Sequence, residues 1–208
     1  MKYEAIIFDI DGTLLDTIAM NMYPLMRIIE EELGEKRTFD EVKHCFSMSG
    51  KQTLDHLGID YDRVYPRWVQ YVNEYEEGAK PFEGIEEMLQ KLKELHYRLA
   101  ICSSKKHKQY EIDMPMNLRD YFEVVVLEED TVEHKPSAMP LLKAIDLLKL
   151  EKEKVIYVGD AIGDGLCCQN AKVDFMFTNW MDLTIPNLPT PKYEVHHPLD
   201  VVEVLNHE

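Results

Sequence analysis

Short apolar runs that stop at polar residues recur along the chain. The four clearest runs cover residues 4–10, 98–102, 123–127 and 154–158. Each run is short and ends in acidic residues, serines or a glycine, which is the pattern of a buried strand followed by a turn. Residues 174–177 form a fifth, weaker run of the same kind. The chain is therefore predicted to contain several short, buried strands.

Helical patterns lie between these runs. Apolar residues recur every three or four positions in two segments, first Ile85, Met88, Leu89, Leu92 and Leu95, then Leu141, Leu142, Ile145 and Leu148. That spacing places the apolar side chains on one face of a helix. Strands that alternate with helices predict an α/β fold with a Rossmann-like parallel sheet. In such sheets ligands bind beyond the carboxyl ends of the strands, where the polar residues fall here.

A helical insert is predicted between the first two strand runs. Strand patterns vanish over residues 17–80, and Thr38-x-x-Glu41 reads as a capping box at the start of a helix. Pro24 is expected to kink or restart the first helix of the insert. We therefore expect a core of residues 1–16 and 81–208 and a small all-helical cap of residues 17–80. Because the insert follows the first strand directly, it is expected to act as a lid over that sheet edge.

Composition and charge exclude several classes of partner. Apolar residues make up 45% of the chain, and 39 acidic against 23 basic residues give a net charge of -16. Such a charge repels nucleic acids and anionic membrane surfaces. The short basic run at residues 105–108 is too isolated to reverse this field, although it leaves a local anion site open. Four cysteines without metal-finger spacing and no visible leader predict a cytoplasmic protein.

Carboxylates follow the first and fourth strand runs. Asp9 and Asp11 are two positions apart, so their side chains start on one side of an extended chain, and Gly12 then permits a sharp turn. Asp160 and Asp164 follow the run at residues 154–158. Carboxylates that converge repel each other unless a hard divalent cation binds them. These four residues therefore predict a Mg²⁺ site, and no histidine or cysteine set has zinc spacing.

Donors for a phosphoryl group follow the other two strand runs. Ser103 ends the second run, and Lys135 follows the third. Pro136 and Ser137 are expected to open and cap the next helix. A cation site that also offers a hydroxyl group and an ammonium group is suited to phosphoryl transfer.

These residues resemble the four motifs of the haloacid dehalogenase superfamily, in order. The motifs are Asp9-Ile-Asp-Gly-Thr13, Ser103, Lys135-Pro136 and Gly159-Asp160-x-x-x-Asp164. The insert is similar to the helical C1 cap of this superfamily, and the layout resembles phosphoglycolate phosphatases and pyrophosphatase-type members. The resemblance implies a magnesium-dependent phosphatase that acts on a small phosphorylated metabolite, with phosphoglycolate and pyrophosphate as candidates.

The resemblance also implies a role for each motif residue. Asp9 is the nucleophile, and Asp11 protonates the leaving group and later activates water. Ser103 and Lys135 hold the phosphoryl group. Asp9, Asp160 and the main-chain carbonyl of Asp11 bind Mg²⁺, with Asp164 orienting the set directly or through water.

Alternatives to a phosphatase remain open from the sequence. A phosphomutase of the β-phosphoglucomutase type would pass the phosphoryl group to a second sugar hydroxyl. A phosphorylation switch of the response-regulator type is disfavoured by the long insert, and a non-catalytic binding protein by the full set of catalytic residue types. In the cap, Lys51 lies in a small flexible segment and is a candidate substrate contact, weighed evenly against an ordinary solvated loop.

Overall fold

The computed structural model describes residues 2–207 and divides the chain into two compact units. The core unit comprises Met1–Asp16 and Pro81–Glu208, and the cap unit comprises Thr17–Lys80. Eight strands are found in the described residues: β1 (Ala5–Phe8), β2 (Leu15–Asp16), β3 (Lys80–Pro81), β4 (Arg98–Cys102), β5 (Val124–Val126), β6 (Val155–Gly159), β7 (Asp174–Thr178) and β8 (Tyr193–Val195).

The helices fall into two groups along the chain. The cap unit carries four: α1 (Ile18–Leu33), α2 (Phe39–Val42), α3 (Gly50–His56) and α4 (Tyr61–Asn73). The core unit carries six: α5 (Ile85–Glu94), α6 (His107–Asp113), α7 (Met116–Arg119), α8 (Met139–Leu148), α9 (Ile162–Ala171) and α10 (Pro198–Asn206). Short 3₁₀ turns occupy Lys43–Ser47, Glu128–Asp130 and Lys152–Lys154. No helix within residues 2–207 is long and apolar enough to cross a membrane.

The core unit is built on a six-stranded sheet in which all neighbouring strands are parallel. The strand order is β5, β4, β1, β6, β7, β8, while β2 and β3 form a separate pair. The predicted α/β fold with a parallel sheet is therefore confirmed. The chain first builds outward from β1 through β4 to β5, and then crosses to the other side of β1 with β6. This reversal of strand order is the place where parallel sheets bind ligands.

The strand register brings the motif residues to one edge of the sheet. Phe8, the last residue of β1, is paired with Ile101 of β4 and with Val158 of β6. The residues that follow these pairs leave the sheet at nearly the same level. Asp9 therefore lies between the ends of β4 and β6.

Helices α8 and α9 pack against one face of the sheet. Their buried residues Leu141, Ala144 and Cys168 join Ile7 and Ala100 of the central strands in one apolar cluster. Along β1 every residue is buried, as a strand covered on both faces requires. This burial fixes the positions of the strand ends that carry the site.

Most predicted elements are found, but the short elements β2, β3, β8, α6 and α7 were not predicted, and one predicted helix begins later than expected. Strand β8 was not predicted, because its three residues are flanked by polar and proline residues. Helix α8 begins at Met139 with Ala138 as its N-cap, so the prediction that Pro136 and Ser137 open and cap it was wrong. Ser137 still contributes, because its hydroxyl accepts a hydrogen bond from the Met139 N–H at 3.2 Å.

The cap unit is all-helical, as predicted. The Thr38 N–H donates to the Glu41 carboxylate at 2.7 Å, which confirms the capping box. Pro24 was predicted to kink or restart α1; the helix continues through Pro24 without a restart, and the kink stays a prediction. In this unit the Trp68 indole N–H of α4 donates to the Asn21 carbonyl of α1 at 3.2 Å, and Trp68 is buried. Helix α1 is thus supported from the side across the region of its proline.

Candidate active site

Three buried aspartates meet at the carboxyl edge of the sheet. Asp9 follows β1, Asp160 follows β6, and Asp164 lies in the first turn of α9. One carboxylate oxygen from each residue lies within 4.8 Å of the others. The sequence placed all three at strand ends, and the structure brings them together in one small volume.

Gly12 allows Asp160 to approach the loop after β1. Its φ of +77° is in the left-handed region, and a Cβ at this position would lie 2.1 Å from Oδ2 of Asp160. Only glycine satisfies both conditions without displacing the carboxylate. The hydroxyl of Thr13 then donates to Oδ1 of Asp160 at 3.1 Å. The Asp-Gly-Thr sequence therefore positions a carboxylate that comes from another strand.

Lys135 lies among these aspartates. Its Nζ is 3.0 Å from Oδ1 of Asp9 and 2.6 Å from Oδ1 of Asp164. Its side chain is 6% exposed. Burial alone would lower the pKa of Lys135, but Asp164 and Asp9 raise it well above its ordinary value, so the residue stays a cation.

The hydroxyl group of Tyr157, a residue of β6, holds Lys135 in place. The tyrosine hydroxyl accepts a hydrogen bond from Lys135 Nζ at 2.7 Å and donates to the Cys102 carbonyl at 2.7 Å. Asp164 is fixed as well, because its Oδ2 accepts a hydrogen bond from the Ala161 N–H at 3.0 Å. Sequence reasoning missed Tyr157, since its position inside an apolar strand gives no polar signal.

The carboxylates of this cluster repel one another, and Lys135 compensates only part of their negative charge. Burial, together with Asp164 and Asp9, raises the pKa of Asp160 well above its ordinary value. Burial also raises the pKa of Asp164, although Lys135 opposes this effect. Three carboxylates and one ammonium group leave two formal negative charges, which one divalent cation would neutralise.

The donor set fits a hard divalent metal ion. Oδ1 of Asp9 is buried and accepts no well-directed hydrogen bond from residues 2–207. Carboxylate and carbonyl oxygens are the ligands that Mg²⁺ and similar cations prefer. The structure therefore supports a divalent metal site at Asp9 and Asp160, with Asp164 beside it.

Asp11 lies at the more open side of the cluster. Its side chain is 36% exposed, and its Oδ1 is 3.0 Å from Nζ of Lys105. Limited access to water raises the pKa of Asp11, Lys105 opposes this, and the nearby Asp9 carboxylate adds to the rise. Asp11 is thus suited to carry a proton beside Asp9.

Ser103 occupies the end of β4. It is 4% exposed, and its N–H donates to the Val126 carbonyl of the neighbouring strand at 3.0 Å. Its Oγ accepts a hydrogen bond from the Lys105 N–H at 3.3 Å. Because Ile101 is paired with Phe8, Ser103 leaves the sheet beside the Asp9 loop, where its hydroxyl group can donate a hydrogen bond to a ligand.

Lys105 is a site residue that sequence reasoning missed. It was assigned only to a short basic run, yet its side chain is 5% exposed and contacts Asp11. The available signal was its place two residues after Ser103 at a strand end. Lys51, by contrast, is an exposed residue of the cap unit that pairs with Asp55 at 2.7 Å, and its proposed contact with a substrate stays a prediction.

Comparisons with known proteins agree with this geometry. The sequence model of the haloacid dehalogenase-like hydrolases matches residues 6–178. A protein of Caldanaerobacter subterraneus subsp. tengcongensis, provisionally named pyrophosphatase PpaX, is 32% identical over 92% of this chain and 89% of its own length. Pyrophosphatase PpaX of Bacillus mycoides is 27% identical over 86% of this chain and 85% of its own length.

A solved structure has the same fold over the whole chain. A Lactobacillus plantarum protein, provisionally named a phosphoglycolate phosphatase, aligns with a TM-score of 0.86 at 25% identity, covering 98% of this chain and 100% of that one. The same architecture is thus found in an experimental structure.

Proposed function

Because the chain belongs to the haloacid dehalogenase-like hydrolases, we propose that it is a phosphatase that transfers a phosphoryl group first to Asp9 and then to water. One observation carries this proposal. The buried Asp9 carboxylate lies 3.0 Å from the Lys135 ammonium group at the point where the strand order of the sheet reverses. A nucleophile and an anion-binding cation are thereby placed side by side.

In the first step, a carboxylate oxygen of Asp9 attacks phosphorus. The bond between Asp9 and phosphorus forms as the bond from phosphorus to the leaving oxygen breaks. Asp11 donates its proton to that oxygen, so the leaving group departs protonated, as an alcohol from a monoester or as hydrogen phosphate from a diphosphate. The raised pKa of Asp11 supports this role, because a general acid must start protonated.

In the second step, water attacks the phosphorus of the aspartyl-phosphate. Asp11, now ionised, accepts a proton from that water, and the bond between phosphorus and Asp9 breaks. Inorganic phosphate leaves, and both carboxyl groups return to their starting states. Division of the hydrolysis into two displacements at one carboxylate is the usual benefit of covalent catalysis.

Lys135 and Ser103 are proposed to hold the oxygens of the transferred group. The Lys135 ammonium group compensates the charge of those oxygens, and the Ser103 hydroxyl donates a hydrogen bond. Both donors are buried and fixed by the protein, Lys135 through Tyr157 and Asp164, and Ser103 through its strand. Such preorganised donors stabilise a transition state without rearranging.

We propose that Mg²⁺ is the divalent cation of this site. Asp9, Asp160 and the main-chain carbonyl of Asp11 would bind it, and Asp164 would orient the set directly or through water. When bound, the ion supplies positive charge for the phosphoryl oxygens and reduces repulsion between the substrate and Asp9.

The substrate is proposed to be a small phosphorylated metabolite, either a phosphate monoester or a diphosphate. The relatives named as pyrophosphatases and the structure named as a phosphoglycolate phosphatase make pyrophosphate and phosphoglycolate the first candidates. The reaction proposed at Asp9 is the same for both, because only the leaving oxygen differs.

Phosphate release from p-nitrophenyl phosphate, pyrophosphate and phosphoglycolate tests the proposal. Activity is expected with Mg²⁺ and not with EDTA. It is expected to be lost in Asp9→Asn and retained in Asp146→Asn, which changes an exposed carboxylate of α8. Hydroxylamine should trap the acyl-phosphate in the unchanged protein only. A folded, metal-bound protein without turnover on these substrates would refute the phosphatase, and turnover that requires a sugar bisphosphate would indicate a mutase.

A further inference from the structure

Lys105 is a buried cation outside the motif set. The residue is 8% exposed and its side chain 5%. Lysine is rarely buried unless its charge is paired. Its Nζ lies 3.0 Å from Oδ1 of Asp11 and 2.5 Å from Oδ2 of Asp113, the last residue of α6. The lysine thus links the proposed proton donor to a carboxylate of a neighbouring helix.

The two carboxylates bound by Lys105 differ in environment. The side chain of Asp113 is 6% exposed, whereas that of Asp11 is 36% exposed. Lys105 donates a hydrogen bond to Asp113 and forms a close ion pair with Oδ1 of Asp11 at 3.0 Å. Asp113 is therefore the fixed end of this arrangement. Asp11 is oriented by its ion pair with the ammonium group, and its greater exposure leaves the carboxyl group accessible to a substrate.

The main chain of Lys105 is fixed as firmly as its side chain. Its N–H donates to Oγ of Ser103 at 3.3 Å, and its carbonyl accepts a hydrogen bond from the Glu128 N–H at 3.1 Å. The ammonium group is therefore held at a set place relative to the end of β4. A fixed cation at this place defines the direction of the Asp11 carboxyl group.

We propose that Lys105, held by Asp113, is a positioning residue that aims the Asp11 carboxyl group at the leaving oxygen. The inference rests on the proposed function, because it assigns a task only if Asp11 transfers a proton. The adjacent Lys106 provides a contrast, since its side chain is 60% exposed and its Nζ is 3.9 Å from Glu128. Of these two adjacent lysines, Lys105 contacts Asp11 and Lys106 points to Glu128 instead.

Substrates with different leaving groups separate positioning from a structural role. A p-nitrophenolate ion leaves readily without a proton, whereas an alkoxide needs one. The ratio of kcat/KM for p-nitrophenyl phosphate to kcat/KM for an alkyl phosphate therefore reports how well Asp11 delivers its proton. Since kcat/KM covers steps up to formation of the acyl-phosphate, the later hydrolysis does not affect the ratio.

The ratio is to be measured at saturating Mg²⁺ for the unchanged protein, Lys105→Met, Lys105→Arg and the control Lys106→Met. In Lys105→Met, we expect kcat/KM for the alkyl phosphate to fall about 10- to 100-fold more than for the aryl phosphate, a part of the ordinary effect of a general acid. Lys105→Arg should recover part of the loss. Lys106→Met should leave the ratio unchanged.

Lys105→Met leaves Asp113 buried without its cation and can unfold the protein. The double variant Lys105→Met with Asp113→Asn removes that charge and should fold, with the same change in ratio. Equal losses on both substrates in a folded double variant, or no loss on either, would overturn the inference while leaving the phosphatase intact. Absence of turnover by the unchanged protein would overturn both.

Discussion

The hydroxyl group of Tyr157 offers a quantitative test of how the site is held together. The residue is fully buried, and Tyr157→Phe removes one oxygen and leaves the ring in place. The hydroxyl bonds to Lys135 Nζ and to the Cys102 carbonyl, each at 2.7 Å. A bond to a charged group contributes about 1.5–3 kcal/mol and a neutral one about 1 kcal/mol. We expect the free energy of unfolding to fall by about 3 kcal/mol in total.

Urea unfolding and calorimetry in EDTA measure this loss without the contribution of metal binding. For a chain of this size, a loss of about 3 kcal/mol corresponds to a decrease in Tm of about 6–12 °C. Tyr23→Phe is the control, because Tyr23 is 49% exposed, and its Tm should change by less than about 1 °C.

A change below about 0.5 kcal/mol in Tyr157→Phe would refute the reasoning, since a value of that size is typical of surface substitutions. It would mean that Lys135 and the Cys102 carbonyl find other partners at no cost. The ion pairs of Lys135 with Asp9 and Asp164 would then hold the site without the tyrosine.

Four further predictions concern the cation site, the surface and the cap. Gly12→Ala should lose about 1–3 kcal/mol of stability from its positive φ alone, and more because its Cβ would lie 2.1 Å from Asp160. Asp160→Asn should weaken Mg²⁺ binding in calorimetry at least about tenfold, yet raise Tm in EDTA because it removes a repelled buried charge. Although burial opposes it, hydrogen bonds from Lys2, Tyr3 and Lys192 lower the pKa of Asp174 to about 2. The resulting stability is present above the unfolded pKa and lost as pH falls toward 2, so Asp174→Asn should cost about 1 kcal/mol at pH 7, after allowance for solvent screening, and progressively less below pH 4. Lys51→Met should raise KM and leave kcat unchanged if Lys51 contacts the substrate.

Each of these predictions has a control or a contradicting result. Gly34→Ala has the same backbone problem, with φ of +69°, but no atom within 4 Å, so it isolates the cost of φ. A Tm in EDTA that falls in Asp160→Asn would contradict the repulsion between the carboxylates. A stability difference between the unchanged protein and Asp174→Asn that stays constant from pH 7 to pH 2 would show that the partners of Asp174 do not lower its pKa. The side chain of Lys36 is 85% exposed, so Lys36→Met is the control for Lys51→Met. An equal change in KM in both variants would mean that the effect comes from the loss of one positive charge and not from a substrate contact of Lys51.

The sequence predicts those parts of the fold and site that depend on local pattern. Apolar runs identify the central strands, and the polar residues at their ends identify Asp9, Ser103 and Asp160, because parallel strands end at one edge. Strand β8 escapes prediction since it has three residues at the edge of the sheet. Lys105 escapes because its partner Asp11 is distant in sequence, so no spacing rule connects them.

The sequence also failed to predict that α1 continues through Pro24, and here the reason is tertiary packing. Proline removes one hydrogen bond from a helix, and sequence rules therefore predict a break. Here Pro24 is buried, and α1 packs against α4 through Trp68 and Asn21. Packing along the whole helix outweighs the loss of one backbone bond, which no local pattern reveals.

The central position of β1 has a consequence for folding of the chain during its synthesis on the ribosome. This strand is synthesised first, but Phe8 can pair only after Ile101 of β4 and Val158 of β6 have been synthesised. The long segments that separate β1 from β4 and β6 close slowly. An apolar strand that is still unpaired is prone to aggregate with other chains. We expect nascent chains that end before β6 to depend on chaperones and to acquire protease resistance only after that strand has emerged.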